Sequence, residues 1–250
     1  MSPQSSPCPI SSPQSARRPL VARACTQAMT QWRSRGLVGA LSLVLSFAAS
    51  NAGAQSLNYP SLQIPSASTR DYTGAISGGD GTTLLFQWRE GWTDRRHLQL
   101  DLGIADRKGD ESLLLVIGGA FGQELLRATA DQPLDLLLTG GVGMSFGDGV
   151  SLLRVPIGVS IGHTFELDKD MTLTPYVHPR ASIDVCSNCG NRNDSQSEVS
   201  LNFDLGVNFQ VNRQFAVRAA AAFSGSDLAG SEDAFAVGFV WTPRPLVKTK

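Results

Sequence analysis

Six charged residues carry most of the chemistry open to this chain: Asp101, Arg154, Arg180, Asp184, Asp204 and Arg218. Each sits on the polar side of a segment whose polar and apolar residues alternate. Charges of both signs withdrawn from water have to pair, so the first expectation is an internal salt-bridge network. The same residues around an aqueous path would instead form a ring that selects small solutes. Catalysis needs a nucleophile and a base that can meet. His178, Ser182 and Asp184 share one side of a single extended segment. Same-face neighbours there lie about 7 Å apart, at roughly 3.3 Å per residue, so His178 and Ser182 cannot bond directly. Partners would have to come from neighbouring strands, and no catalytic residue is assigned. His97, on a polar face, reads as structural, and His163, in apolar register near a strand end, as interfacial.

The remaining reactive pattern is Cys186-Ser187-Asn188-Cys189. No second CxxC and no nearby His-x-x-His completes four ligands, so no metal site is assigned, and no cofactor is expected. The leader decides how the cysteines behave. Arg33 and Arg35 precede an apolar run from Leu37 to Phe47, and Ala52-Gly53-Ala54 supplies a small-residue cleavage site. Those are the three parts of a secretory signal peptide. In an oxidising envelope a loop disulfide between Cys186 and Cys189 is the plain expectation. Residues 1–28, rich in Ser, Pro and Gln, read as a non-native or disordered leader, with Met29 the expected initiator. The signal peptide is then 29–54, and Cys8 and Cys25 leave with the leader.

The elements that position these groups are strands. From Ser197 to Val211 the odd positions Val199, Leu201, Phe203, Leu205, Val207, Phe209 and Val211 are apolar, and the even ones are polar or glycine. That alternation gives one apolar and one wet face. Strands of soluble domains are mostly about 5–6 residues, whereas a tilted membrane-spanning strand needs roughly 9–11. This run has the longer kind of length. Other segments follow the pattern: a weak Tyr72 to Ser77, then Thr82 to Arg89, His97 to Ala105, Ser112 to Gly122, Leu134 to Phe146, Val150 to Phe165, Met171 to Val185, Phe215 to Phe223 and Asp233 to Trp241. Ser112 to Gly122 is apolar on both sides, so its facing is ambiguous. Pro175 and Pro179 fall on one strand and imply local bulging.

Ten segments make the even count a single-chain bacterial barrel requires. Their connections lengthen and shorten by turns towards the C-terminus, as long outer loops and short periplasmic turns do. That rule weakens towards the N-terminus, so eight strands remains the alternative. Ser56 to Arg70 has two prolines and no sustained period, and residues 55–70 read as a short periplasmic lead-in. The barrel is assigned to 71–243 and a short tail to 244–250.

Composition agrees. The chain has 250 residues, 42% hydrophobic, with 25 glycines and a mean hydropathy of -0.05. No stretch reaches the roughly 20 apolar residues of a spanning helix, and a barrel needs none because only alternate residues face lipid. The formal charge is -1, but residues 1–54 hold five arginines and no Lys, Asp or Glu; without them 16 basic residues face 22 acidic, a balance of -6. No basic surface for nucleic acid remains.

Aromatic residues collect at two heights. Trp88, Phe165, Phe209, Phe215 and Trp241 fall at one set of strand ends and Phe146, Phe223 and Phe235 at the other. Such placement suits the interfacial girdles of a membrane barrel. On these patterns the chain resembles the small Gram-negative outer-membrane β-barrel proteins of eight to ten strands, over Tyr72 to Trp241. The last strand, Phe235-Ala236-Val237-Gly238-Phe239-Val240-Trp241, is similar to the family's aromatic-ended insertion strand, although this chain continues through TPRPLVKTK. The resemblance implies an all-β, antiparallel up-and-down transmembrane barrel in the outer membrane, a monomer contacting lipid and the barrel-insertion machinery, with loops that could meet an extracellular ligand. It does not choose a function. A structural or surface-interaction role with a closed lumen leads. A narrow solute pore, a lipid-modifying enzyme and a secreted soluble β-sandwich are the alternatives.

Overall fold

The computed structural model describes residues 62–79, 81–107, 113–147, 150–187, 195–225 and 233–243. The expectations for the leader, the signal peptide, the 244–250 tail and Cys189 fall outside these residues. Eleven strands form: β1 (Arg70–Gly78), β2 (Gly81–Thr93), β3 (Arg96–Arg107), β4 (Leu113–Leu126), β5 (Asp135–Gly147), β6 (Val150–Gly162), β7 (Phe165–Asp168), β8 (Met171–Ser187), β9 (Gln196–Gln210), β10 (Phe215–Ser224) and β11 (Ala234–Trp241). All pairings are antiparallel, β1 pairs with β11, and β6 pairs with β8, so the sheet closes on itself. The short β7 continues β6 after a break at His163-Thr164 and pairs with the same neighbour, β8. The wall therefore has ten staves, and the eight-stranded alternative is overturned.

Alternation sets which side each residue takes. On β9, Leu201 is 74% exposed while Asp204 is fully buried. On β3, Leu98, Leu100, Leu102 and Ile104 face out, and His97, Gln99, Asp101 and Ala105 face in. This is the reverse of a water-soluble protein, whose strands bury their apolar face. The apolar row of β9 lies on the outside of one closed sheet rather than between two layers, which overturns the soluble sandwich. The ambiguous β4 resolves with Leu113, Leu115 and Ile117 outside. Its inner Leu114 and Val116 pack against Ala105 in a small apolar cluster, which is why both sides are greasy.

The expected bulging at the prolines does not occur. Pro175 and Pro179 keep their rungs to β9. The interruption is on the other edge of β8, between the rungs Gly158–Arg180 and Ile161–Val177, with the register unchanged across it. A second gap, between Gly140–Ile157 and Gly143–Arg154, flanks Pro156. Proline lacks only the N–H, so each gap removes rungs from one edge and inserts no residue.

The described part of the lead-in, Leu62 to Ser68, runs inside the barrel rather than free in the periplasm. Leu62 and Gln63 are buried, and Leu62 packs on Ala75, Ala220 and Ala236. The reason lies in the wall: at these positions the lumen offers small side chains, and an uncharged segment bent at Pro65-Ser66 fills the space they leave. A side chain added at Gly238 would crowd Leu62, and one at Gly162 would crowd Pro65. Likewise the Tyr176 ring lies over its cross-strand partner Gly206, where a Cβ would collide with it. Gly206→Ala is therefore expected to cost about 1–3 kcal/mol by overpacking, measured as a lowered urea midpoint of the folded band on unheated gels.

Candidate functional site: the barrel lumen

Inward-facing charges form pairs at successive depths. Nearest the start of β1 and the end of β11, Asp71 on β1 accepts from Arg218 Nη2 at 3.1 Å and lies 3.7 Å from Arg89 Nη1. Arg218 Nε donates to Asn208 at 2.9 Å and Arg89 Nε to Gln99 at 2.8 Å. Gln99 Nε2 in turn donates to Asp101, 2.8 Å from either carboxylate oxygen. Deeper in, Arg180 Nη2 donates to Asp204 at 2.9 Å, and His178 Nδ1 is 3.3 Å from the other oxygen. Towards the end of β8, Arg154 makes a two-pronged contact with Asp184, at 2.7 and 2.8 Å. These two residues are direct cross-strand partners on β6 and β8. Ser200 Oγ donates to Asp184 at 3.0 Å and joins a chain through Ser182, Asn202 and Ser224.

Of the six residues singled out from sequence, Arg154 meets Asp184 and Arg180 meets Asp204. Arg218 turns instead to Asp71, and Asp101 is held by Gln99. Asp71 and Arg89 were missed. Arg89 stands opposite the Leu84-Phe86-Trp88 face, so its register would have placed it inside; Asp71 precedes a segment too weak to assign a face. The lumen thus holds Arg89, Arg154, Arg180 and Arg218 among Asp71, Asp101, Asp184 and Asp204. Their side chains are nearly all withdrawn from solvent. Glu124 and Asp135 also face inward, Glu124 paired with Arg127 at 2.7 Å and Asp135 accepting from Ala128 N at 2.7 Å.

The inner segment adds its own contacts. Arg89 Nη2 donates to Leu62 O at 2.6 Å, Ser160 Oγ to Gln63 O at 2.7 Å, and Gln63 Nε2 to Gln99 at 2.5 Å. Ala67 N and Ser68 N reach Glu124 and His97 at 3.4 and 3.3 Å. His97, read as structural, is buried and takes this last bond. A cavity of about 70 Å³ remains beside the β4–β5 glycines, lined by Gln63, Gln87, Asp101, Thr139, Arg154 and Arg180 among others.

His178 gains the partner from another strand that sequence required: Thr139 Oγ1 on β5 is 2.8 Å from its Nε2. Ser182 bonds Ser200 and Asn202. The order hydroxyl, imidazole, carboxylate resembles a relay, but Asp204 is shared with Arg180 and the cavity beside it holds only a few waters. Among the described residues no cluster of three or more His, Cys, Asp or Glu is placed to hold a metal. Cys186 is disulfide-bonded; the assignment of Cys189 as its partner lies outside the described residues.

On the outer face, Trp88, Tyr72, Trp241 and Phe215 are successive cross-strand partners over four neighbouring strands. Tyr72 stacks on Trp241 with ring centres 5.5 Å apart. Phe165, Leu173 and Phe209 pair in the same way. At the loop ends, Phe223 faces Phe203, while Phe146 and Phe235 also point outward. His163 lies edge-on to Phe165 and contacts Pro133 O.

No protein-family model and no curated protein matches the chain. Solved structures with similar backbones include a bacterial polysaccharide outer-membrane secretin (8% identity, 72% of this chain and 67% of that one, TM-score 0.44). Others are the NanC porin (10%, 70% and 100%, 0.40) and Ail, the attachment invasion locus protein of Yersinia pestis (13%, 69% and 95%, 0.30). The architecture rests on the chain's own coordinates: a closed, antiparallel, up-and-down transmembrane β-barrel of ten staves, the fold that the resemblance to small outer-membrane barrels implied.

Proposed function

We propose that this chain is an integral outer-membrane protein with a structural or surface-interaction role, exported by the 29–54 signal and closed to solutes at rest. The observation that carries this reading is the paired lumen: arginines and carboxylates of both signs bonded to one another, with Leu62 to Ser68 bonded among them. A selective pore presents a ring of one sign to water, whereas here each charge is occupied by a neighbour. The barrel is a monomer in lipid, and the connections after β8 and β10 are its outward contact surfaces. Catalysis is not proposed, because the Thr139–His178–Asp204 chain faces a cavity of about 70 Å³ inside the wall.

The test is electrical. The purified mature chain should show heat-modifiable mobility in detergent and no steady conductance in planar bilayers of potassium chloride. A constant single-channel current from the folded band would replace this reading with the narrow pore.

A further inference from the structure

We propose that Leu62 to Ser68 is a displaceable plug, and that its withdrawal opens a path for small neutral or zwitterionic solutes. The inference rests on the closed-barrel reading and adds a second state to it. The segment is not part of the wall: its backbone meets the strands only through wall side chains, at Leu62 O, Gln63 O, Ala67 N and Ser68 N, and the first ladder-like bond is Gly91 N to Thr69 O. Its sequence, LQIPSAS, has no charged residue, so no ion pair must break for it to leave. Two of its anchors are long, at 3.3 and 3.4 Å.

Contact with the wall is also incomplete. A cavity of about 220 Å³ separates Ile64, Ala67 and Ser68 from Asn208, Gln210, Arg218 and Val240 on the side of β9 to β11. The cavity of about 70 Å³ lies against Gln63 on the other side. Buried polar atoms line both faces of the joint without a protein partner, among them Gln63 Oε1 on the segment and Gln87 Oε1, Arg180 Nε and Arg218 Nη1 on the wall. Burying such atoms unpaired is costly, and water entering behind a departing segment would solvate them. The closed state is therefore held chiefly by the seat of Leu62 among Ala75, Ala220 and Ala236, by the Arg89 bond to Leu62 O and by the bonds at Gln63.

Withdrawal uncovers those small residues on one side and leaves arginines and carboxylates of both signs, paired with one another, around the remainder. A passage so lined has no ring of one sign. It suits compact polar molecules with balanced charge, of which glycine is a convenient probe.

The test weakens the seat and then locks it. Gln63→Ala with Ser160→Ala removes two anchors without touching the paired charges. In potassium chloride bilayers this variant should spend at least ten times longer conducting than the wild type, and its liposomes should swell in glycine. Adding Leu62→Cys and Ala236→Cys to the same variant should silence it once the disulfide forms, and reductant should restore the current. Wild type treated with reductant controls for the native disulfide at Cys186. A folded, seat-weakened variant as silent as wild type would overturn the plug, as would a locked variant that still conducts. Steady current from wild type would instead sink the closed-barrel reading itself.

Discussion

Arg154→Ala should cost the barrel about 3–5 kcal/mol, the penalty for removing one partner of a buried ion pair and stranding the other. Arg154 and Asp184 are 4% and 0% exposed and meet through two short bonds across directly paired positions of β6 and β8. Without the guanidinium, Asp184 keeps Ser200 as a neutral donor but has its charge uncompensated. Urea-dependent refolding, read by gel mobility, measures the loss. The surface pair Arg213–Asp170, with side chains 80% and 42% exposed, supplies the contrast. Arg213→Ala should change stability by about 0–1 kcal/mol. Arg154→Met combined with Asp184→Leu should recover most of the deficit, since replacing both partners removes the stranded charge. Equal costs for Arg154→Ala and Arg213→Ala would mean that water reaches the lumen pair as freely as the surface one.

Ile157→Arg is expected to destabilise the protein in bilayers by about 2–4 kcal/mol, with a much smaller effect close to the strand ends. Ile157 lies near the middle of β6, points outward and is 59% exposed. In a protein surrounded by water that change would be nearly neutral, since surface substitutions are usually within about 0.5 kcal/mol. Leu98→Arg, two residues from the start of β3 and also outward, should cost about 0–1 kcal/mol because its charge can reach the interface. Folding titrations in lipid vesicles resolve the two. A gradient from mid-strand to strand end is the signature of hydrocarbon; two equal, small effects would place the apolar outer face in water.

The strands were legible because one face of each is uniform. β9 and β3 alternate without exception over their central residues, and period two needs no knowledge of neighbours. The charged interior followed from the same register, and Arg154, Arg180, Asp184 and Asp204 found one another. What sequence did not reveal was non-local. Nothing in the sequence says what lies beside the inward glycines and alanines, among them Gly162, Ala220 and Gly238. In the structure Pro65 and Leu62 lie there, and Tyr176 covers Gly206. Leu62 and Ala220 are far apart in the chain, and LQIPSAS has neither period nor charge to announce a partner. The eight-strand alternative came from the connections, whose long-short alternation fails towards the N-terminus. Tyr72 to Ser77 is weak as an isolated segment, yet it becomes β1 because β2 and β11 supply a partner on each edge.

The missing rungs on both edges of β6 have a mechanical consequence. A cylinder laced evenly around its circumference resists flattening alike in every direction. This one is tied less closely along a single stave, between Pro156 on one side and Pro179 on the other, and local stability falls where backbone bonds are fewest. Lateral pressure from the bilayer would therefore make the cross-section oval about β6 first, with the continuous ladders of β8 to β11 acting as the stiff rib.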